Sequence, residues 1–515
     1  MTITSINFFV FLALSVLIYA LCPKRVRWVS LLIFSAVFFL LNSWKVFYYL
    51  IFGTAIAYFG AALIQNQCRT DRQKRLVLTA SIGLLVGFLF LLKYINVIPN
   101  GLNAFGRLFH LDLYFAEINL LAPIGISYYS LSLWAYLVDV YRTTTEAEPN
   151  YFKLTLFACY YPCLVSGPIL RYGEMKQALF APRPLCWDDV FQGFHRIVYG
   201  LLKKLFLADT LASNVKLVFS DPGKFSGPLL LLGVGMYAIQ IYCDFSGCMD
   251  IVLGASRLYG VRLPENFESP FFSRTLSEFW RRWHITLGLW GKDYVLYPLL
   301  KSARFQAIGR WAKKRFGKKA GKKLPLILAI FILWAIIGFW HGASWKYFFA
   351  AGMLPWLYFS LSELLGDSLK AAAEKLHFRT DTASFHLLQS ARTILLMLLI
   401  WLITLSPTLH ESGGVLAKLF TLPSRAAVSE LGRAVTFCSL SRRSAFWKRF
   451  CLIASLLGVG AVDALKYKGV AVGERFDRQA VWFRYLILFA MIVTVICFGV
   501  YGPGFRPSDF IYGGF

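Results

Sequence analysis

Two histidines stand in indole-rich surroundings. His284 lies in FWRRWHITL and His341 in IGFWHGASW. A neutral imidazole is the side chain best suited to accept a proton near pH 7, and a general base so placed is worth roughly 10²–10⁴ in rate. Ionisable groups in apolar company are costly, so a functional explanation comes first. Beside His341, Gly342, Ala343 and Ser344 are small enough for a substrate to approach, while Trp340 and Trp345 could exclude water. Before His284, Arg281 and Arg282 would disfavour a second positive charge and keep the imidazole neutral. The bland alternatives are a buried histidine bonded to a backbone carbonyl for His341, and a positioning residue beside the arginines for His284.

Other polar residues cluster nearby. Asp244 and Asp250 occur in YCDFSGCMD, six apart and so on different faces of a helix. They suit organising a site, by pairing with arginines, more than reacting in it. Asn266, in LPENFESPF, sits in a turn, where its amide would serve as a hydrogen-bond donor or a loop staple. No G-x-S-x-G elbow, H-E-x-x-H pair, Walker A motif or G-x-G-x-x-G after a strand is present, which leaves serine hydrolase, zinc protease and ATPase chemistry poorly supported. The ten cysteines form no C-x-x-C pair, so neither a disulfide framework nor a zinc site is expected.

These residues need elements to position them, and the composition says which kind. The 515 residues are 57% hydrophobic and 16% charged, against about 25% charged in a soluble domain. The expected class is an all-α polytopic membrane protein. A span needs about 20 apolar residues, and about twelve candidates occur: 5–22, 28–41, 45–64, 76–92, 120–140, 154–170, 227–245, 325–345, 347–364, 394–407, 450–464 and 483–501. The first reads as a retained helix and not a cleaved signal, since no small-residue cleavage site follows it.

The net charge is +27. Its basic clusters punctuate apolar spans, which argues for cytoplasmic loops and anionic lipid and against nucleic acid. The early basic linkers place the N-terminus outside. Residues 189–209 alternate apolar and basic groups as an interfacial amphipathic helix would. Segment 270–300 is too charged to face lipid and reads as re-entrant or interfacial helices lining a funnel. Residues 301–323 hold ten Lys or Arg and no acid. They read as a basic cytoplasmic loop, or as a basic mouth for a polyanionic donor.

The runs QIYCDFSGCMDIVLGASRLYG, LPENFESPFFSRTLSEFWRRWHITLGLWGKDYVLYPL and FWHGASW resemble the membrane-bound O-acyltransferase (MBOAT) family. Within it they are most similar to the bacterial alginate and peptidoglycan O-acetyltransferase membrane subunits. APIGISYYSLSLWAYLVDVYR, YYPCLVSGPILRY and GLLKKLFLAD support the likeness, which runs to about residue 365. The resemblance implies one integral membrane domain over 1–515, with its core about 120–365 and C-terminal helices and tail over 390–515. It implies a helical ring around a transmembrane tunnel in a bacterial inner membrane.

The same resemblance implies an acyl thioester donor, most simply acetyl-CoA, with no bound cofactor and no metal. His341 matches the family's catalytic histidine and His284 its second histidine. Arg281, Arg282, Trp283, Asp244, Asn266 and Trp340 would bind or orient the donor. Tyr512, in the terminal FIYGGF, matches a tyrosine that accepts the acyl group in related systems, although relatives often end FIYFQF. A periplasmic or exported esterase-like partner would pass the acetyl group to a polysaccharide. The alternatives are D-alanyl transfer to a cell-surface polymer and a transporter or flippase.

Overall fold

The computed structural model describes residues 1–118, 120–181, 184–342, 344–406, 408–420 and 442–502. The protein is an all-α polytopic membrane protein. Among the described residues no strand forms, and the one β pairing is an isolated antiparallel bridge between Phe267 and Trp283. Eight helices among the described residues are long and apolar enough to cross a membrane, with Ile6–Leu21 a shorter apolar helix.

The shortfall from twelve spans has local causes. Segment 28–64 is nearly continuous, its two helices separated by the short Trp44–Val46 turn. The expected span 120–140 is the 16-residue helix Ile126–Tyr141, buried on almost every face, so protein and not lipid surrounds it. The expected span 154–170 is two short helices, Tyr151–Cys159 and Tyr161–Leu164. The break falls at Tyr160 (φ −49°, ψ 104°), and Pro162 stands in the first turn of the second helix, where its missing N–H costs least. The span placed at 394–407 is instead the 23-residue helix Ala383–Leu405, long enough to cross.

Contacts divide the chain into two compact units, Met1–Ile197 with Met249–Glu265, and Val198–Cys248 with Asn266–Phe515. The core expected over 120–365 therefore contributes to both. In the first unit the hydroxyls of Ser15, Tyr161 and Tyr259 bond one another in the interior. Arg196 there joins Asp250 at 3.0 Å and Glu265 at 2.5 Å, so one of the two sequence-flagged aspartates does meet an arginine.

The second unit holds the site residues. It includes residues 227–248 of helix Gly227–Arg257, whose apolar window is 72% buried; Val481–Phe498, at 6%, has an almost wholly exposed apolar surface suited to lipid. Lys204 lies between two carboxylates, 2.6 Å from Asp244 and 2.9 Å from Asp209. Lys203 donates to Ser246 at 2.9 Å and sits over the Tyr199 ring. Buried charges persist only when paired in this way.

The basic stretch corrects the loop expectation. Residues 301–323 are largely helical, within Ala303–His341, and that helix turns back at Gly317 (φ 87°, ψ 175°). A Cβ on Gly321 would lie 2.7 Å from Lys313 Cβ, and one on Gly309 3.1 Å from the Gly321 carbonyl. Residues 303–316 and 318–341 thus form a tight helical hairpin. Positive φ suits glycine alone at the bend, and glycines let the arms approach. The second arm packs by the same device on the segment after it. A Cβ on Gly338 would meet Gly352 Cα at 3.0 Å.

Candidate active site

His284 is placed by strained, doubly strapped backbone. It joins helix Leu276–Arg282, capped by Thr275, to helix Ile285–Gly291. Its φ and ψ are 49° and 52°, in the left-handed region. A side chain there costs on the order of 1 kcal/mol or more and persists only where neighbours over-determine it. Here they do. On one side Phe267 bridges Trp283, and Glu268 N donates to the Arg282 carbonyl at 3.0 Å. On the other, Ile285 N donates to the Asn266 carbonyl at 3.1 Å, while Thr286 N and Oγ1 both donate to Asn266 Oδ1 at 3.0 and 2.8 Å. Asn266 thereby caps a helix that His284 does not cap itself. It is a staple whose side-chain oxygen accepts, not a donor facing substrate.

The imidazole that this turn presents is 4% exposed. Phe245 meets it edge-on at 4.9 Å, and Trp340 at 6.2 Å. His284 lies outside the membrane-spanning helices. Burial, with His341 nearby, pushes it down to about 3. The sequence expectation of a neutral ring is met, but by desolvation and His341; the adjacent arginines are not its cause. Arg282 is occupied elsewhere, with Glu278 at 3.1 Å and the Tyr467 ring at 4.8 Å.

His341 ends the second arm of the hairpin. Its indole neighbour Trp340 lies 5.0 Å away, so one ring touches both imidazoles. Both histidines line one cavity of about 790 Å³. Trp345 corrects the idea of two walling indoles: it is 75% exposed. Gly342 is small because a Cβ there would strike the Tyr347 ring, and Tyr347 is itself on the cavity wall.

The other expected residues divide. Arg281 and Trp283 line the cavity, Trp283 stacked on Phe279 at 5.5 Å and 18°. Arg281 is exposed. Arg282, Asp244 and Asn266 do not line it; they pair with Glu278, Lys204 and Thr286 and hold the wall from behind. Tyr512 and Ala343 fall outside the described residues.

Trp280 and Lys292, from the segment expected to line a funnel, are on the cavity wall, whereas Tyr358 and Arg392, also on it, went unread in the sequence. Tyr358, Ser362, Leu365 and Leu369 come from helix Leu354–Lys375, and Thr393, Leu396, Ile400 and Thr404 from helix Ala383–Leu405. Their spacing of three or four is the one-face signal of a helix, which was available. In a chain this apolar, however, it does not tell a cavity wall from a helix interface. Chemically, the arrangement offers two imidazoles in a largely apolar cavity, with three cationic side chains on its wall.

The sequence profile of the MBOAT, membrane-bound O-acyltransferase family matches residues 26–309. A protein of Pseudomonas syringae named as a probable alginate O-acetylase, AlgI, is 30% identical over 436 residues, covering 84% of this chain and 77% of that one. A peptidoglycan O-acetyltransferase of Helicobacter pylori is 27% identical, covering 67% and 66%. A teichoic acid D-alanyltransferase of Bacillus subtilis is 27% identical over 44% of this chain and 56% of its own.

Proposed function

Since the chain belongs to the membrane-bound O-acyltransferase family and is a multi-pass membrane acyltransferase, we propose that it transfers an acetyl group from a cytoplasmic thioester to a hydroxyl, for O-acetylation of an exported or cell-envelope polysaccharide. The observation that carries this reading is the single cavity lined by both His284 and His341. His341 removes the proton from the attacking hydroxyl, the oxygen forms the ester bond, and the thioester C–S bond breaks. The proton returns to the leaving sulfur as free thiol. A base within hydrogen-bond reach of that hydroxyl is what the chemistry needs. His284, neutral and fixed, orients the donor carbonyl.

The donor is acetyl-CoA, whose phosphates suit Arg281, Lys292 and Arg392 at the wall. The acetyl group crosses the bacterial inner membrane, with Tyr512 as the exoplasmic acceptor and an esterase-like periplasmic partner completing the transfer. Acetyl is favoured over D-alanyl because the acetylating relatives align over 67–84% of this chain and the D-alanylating ones over 44%. His341→Ala at normal protein level abolishes glycan acetylation in cells; retained wild-type acetylation removes His341 from the chemistry. Tyr512→Phe separately abolishes delivery if the tyrosine carries the acetyl group. Release of free CoA from acetyl-CoA by the purified protein excludes a pure transporter.

A further inference from the structure

Helix Arg442–Tyr467 lies wholly beyond the family match, which ends at residue 309. It presents mostly apolar surface outward, with only 11% of its apolar window buried. Yet its last turns are tied to the loop that straps His284. Asp463 accepts from Tyr242 Oη at 2.6 Å, and its carbonyl accepts from Ser269 Oγ at 2.7 Å. Ser269 is itself left-handed, at φ 50°. One turn on, the Tyr467 ring stacks on Phe272 at 5.5 Å and 26° and carries the Arg282 guanidinium at 4.8 Å on its ring. The Tyr467 hydroxyl accepts from Arg274 Nε at 3.2 Å.

Phe272 and Arg282 stand on the two backbone segments that the Phe267–Trp283 bridge and the Glu268–Arg282 hydrogen bond join. One ring therefore grips both sides of the strap. Two left-handed non-glycine residues within this loop pair need such external restraint. A helix held only by lipid-facing surface would need neither a buried carboxylate nor an aromatic clamp.

We infer that Tyr467 and Asp463 are positioning residues, which hold His284 in its left-handed turn from a helix outside the family match. The effect on rate rests on the reading of His284 given under Proposed function; the clamp itself does not.

The experiment uses the full-length protein in detergent. Its readouts are the rate at which diethyl pyrocarbonate modifies His284, followed by peptide mass spectrometry, the unfolding temperature, and kcat and KM for thioester cleavage. Exposed His110, His377 and His410 are internal references. Tyr467→Ala frees the strap, so His284 is modified several-fold faster at unchanged rates for the references. Its kcat falls on the order of ten- to a hundredfold with KM little changed, as expected for a misplaced group. Tyr467→Phe keeps the ring and restores most of both, and should Tyr467→Ala not fold, Tyr467→Leu carries the same comparison. Wild-type modification of His284 in folded Tyr467→Ala or Tyr467→Leu overturns the clamp. Faster modification of His284 in Tyr467→Ala, together with full activity of that variant and of His284→Ala, leaves the clamp standing and overturns the role given to His284.

Discussion

His284 shows how much of a residue's chemistry is decided by its surroundings. Its ring is neutral because burial disfavours the imidazolium. The sign of the resulting pH dependence follows. The unfolded imidazole binds a proton near pH 6.5 and the folded one only near 3, so the unfolded state holds more protons between those values. Stability therefore falls as pH drops from about 6.5 towards 3, and a melting series in that range shows wild type losing more than His284→Phe. The side chain of Asn266 makes a second test. Asn266→Ala leaves the buried Thr286 N and Oγ1 without their acceptor, an expected loss of about 1–3 kcal/mol. Asn266→Asp keeps an acceptor oxygen and retains more of the melting temperature. If the two variants melt alike, the staple is not what holds the turn.

Among the helices, the hairpin Ala303–His341 carries the clearest design. Glycine at 317 makes the bend, and glycines at 309, 321 and 338 let neighbouring backbones close in. The bend brings the arms together and leaves the second arm free to end at His341 on the cavity wall. Gly338→Val pushes the His341 arm off Gly352 and Phe348. Overpacking of that kind costs about 1–3 kcal/mol, and it lowers thioester cleavage along with the unfolding temperature. Gly413→Val, at a position with open space around an added Cβ, is the matched control. Equal effects at 338 and 413 would show that the close crossing is unimportant.

Across the second unit, stability depends on buried charge being balanced. Lys204 neutralises Asp209 and Asp244, each about 1% exposed at the side chain. Lys204→Met strands two carboxylates in the interior, a loss on the order of 3–5 kcal/mol, and the expected result is little folded protein in the membrane fraction. Adding Asp209→Asn and Asp244→Asn to Lys204→Met removes the stranded charge and recovers folded protein, because replacing a whole buried ion cluster is far cheaper than breaking it. Failure of the triple variant to recover would mean that the cluster has a role other than charge balance. This ion cluster also explains why Asp244, read in the sequence as a donor-binding residue, is found behind the wall.

Hydropathy is a sum along the chain, so the chain alone determined the membrane class and most helices. It also singled out both imidazoles, because a histidine between indoles is conspicuous wherever it ends up. Partnership is different in kind, since it depends on residues distant in sequence. Asp244 met Lys204 instead of an arginine, Arg282 met Tyr467, and Trp345 turned outward. The basic run at 301–323 looked like a loop because charge hides helical pattern, and only the backbone crossing of Gly309 and Gly321 reveals the hairpin. Tertiary structure alone decided that the two histidines share a cavity, 57 positions apart in the chain, because a common void is a property of packed helices and of no single one.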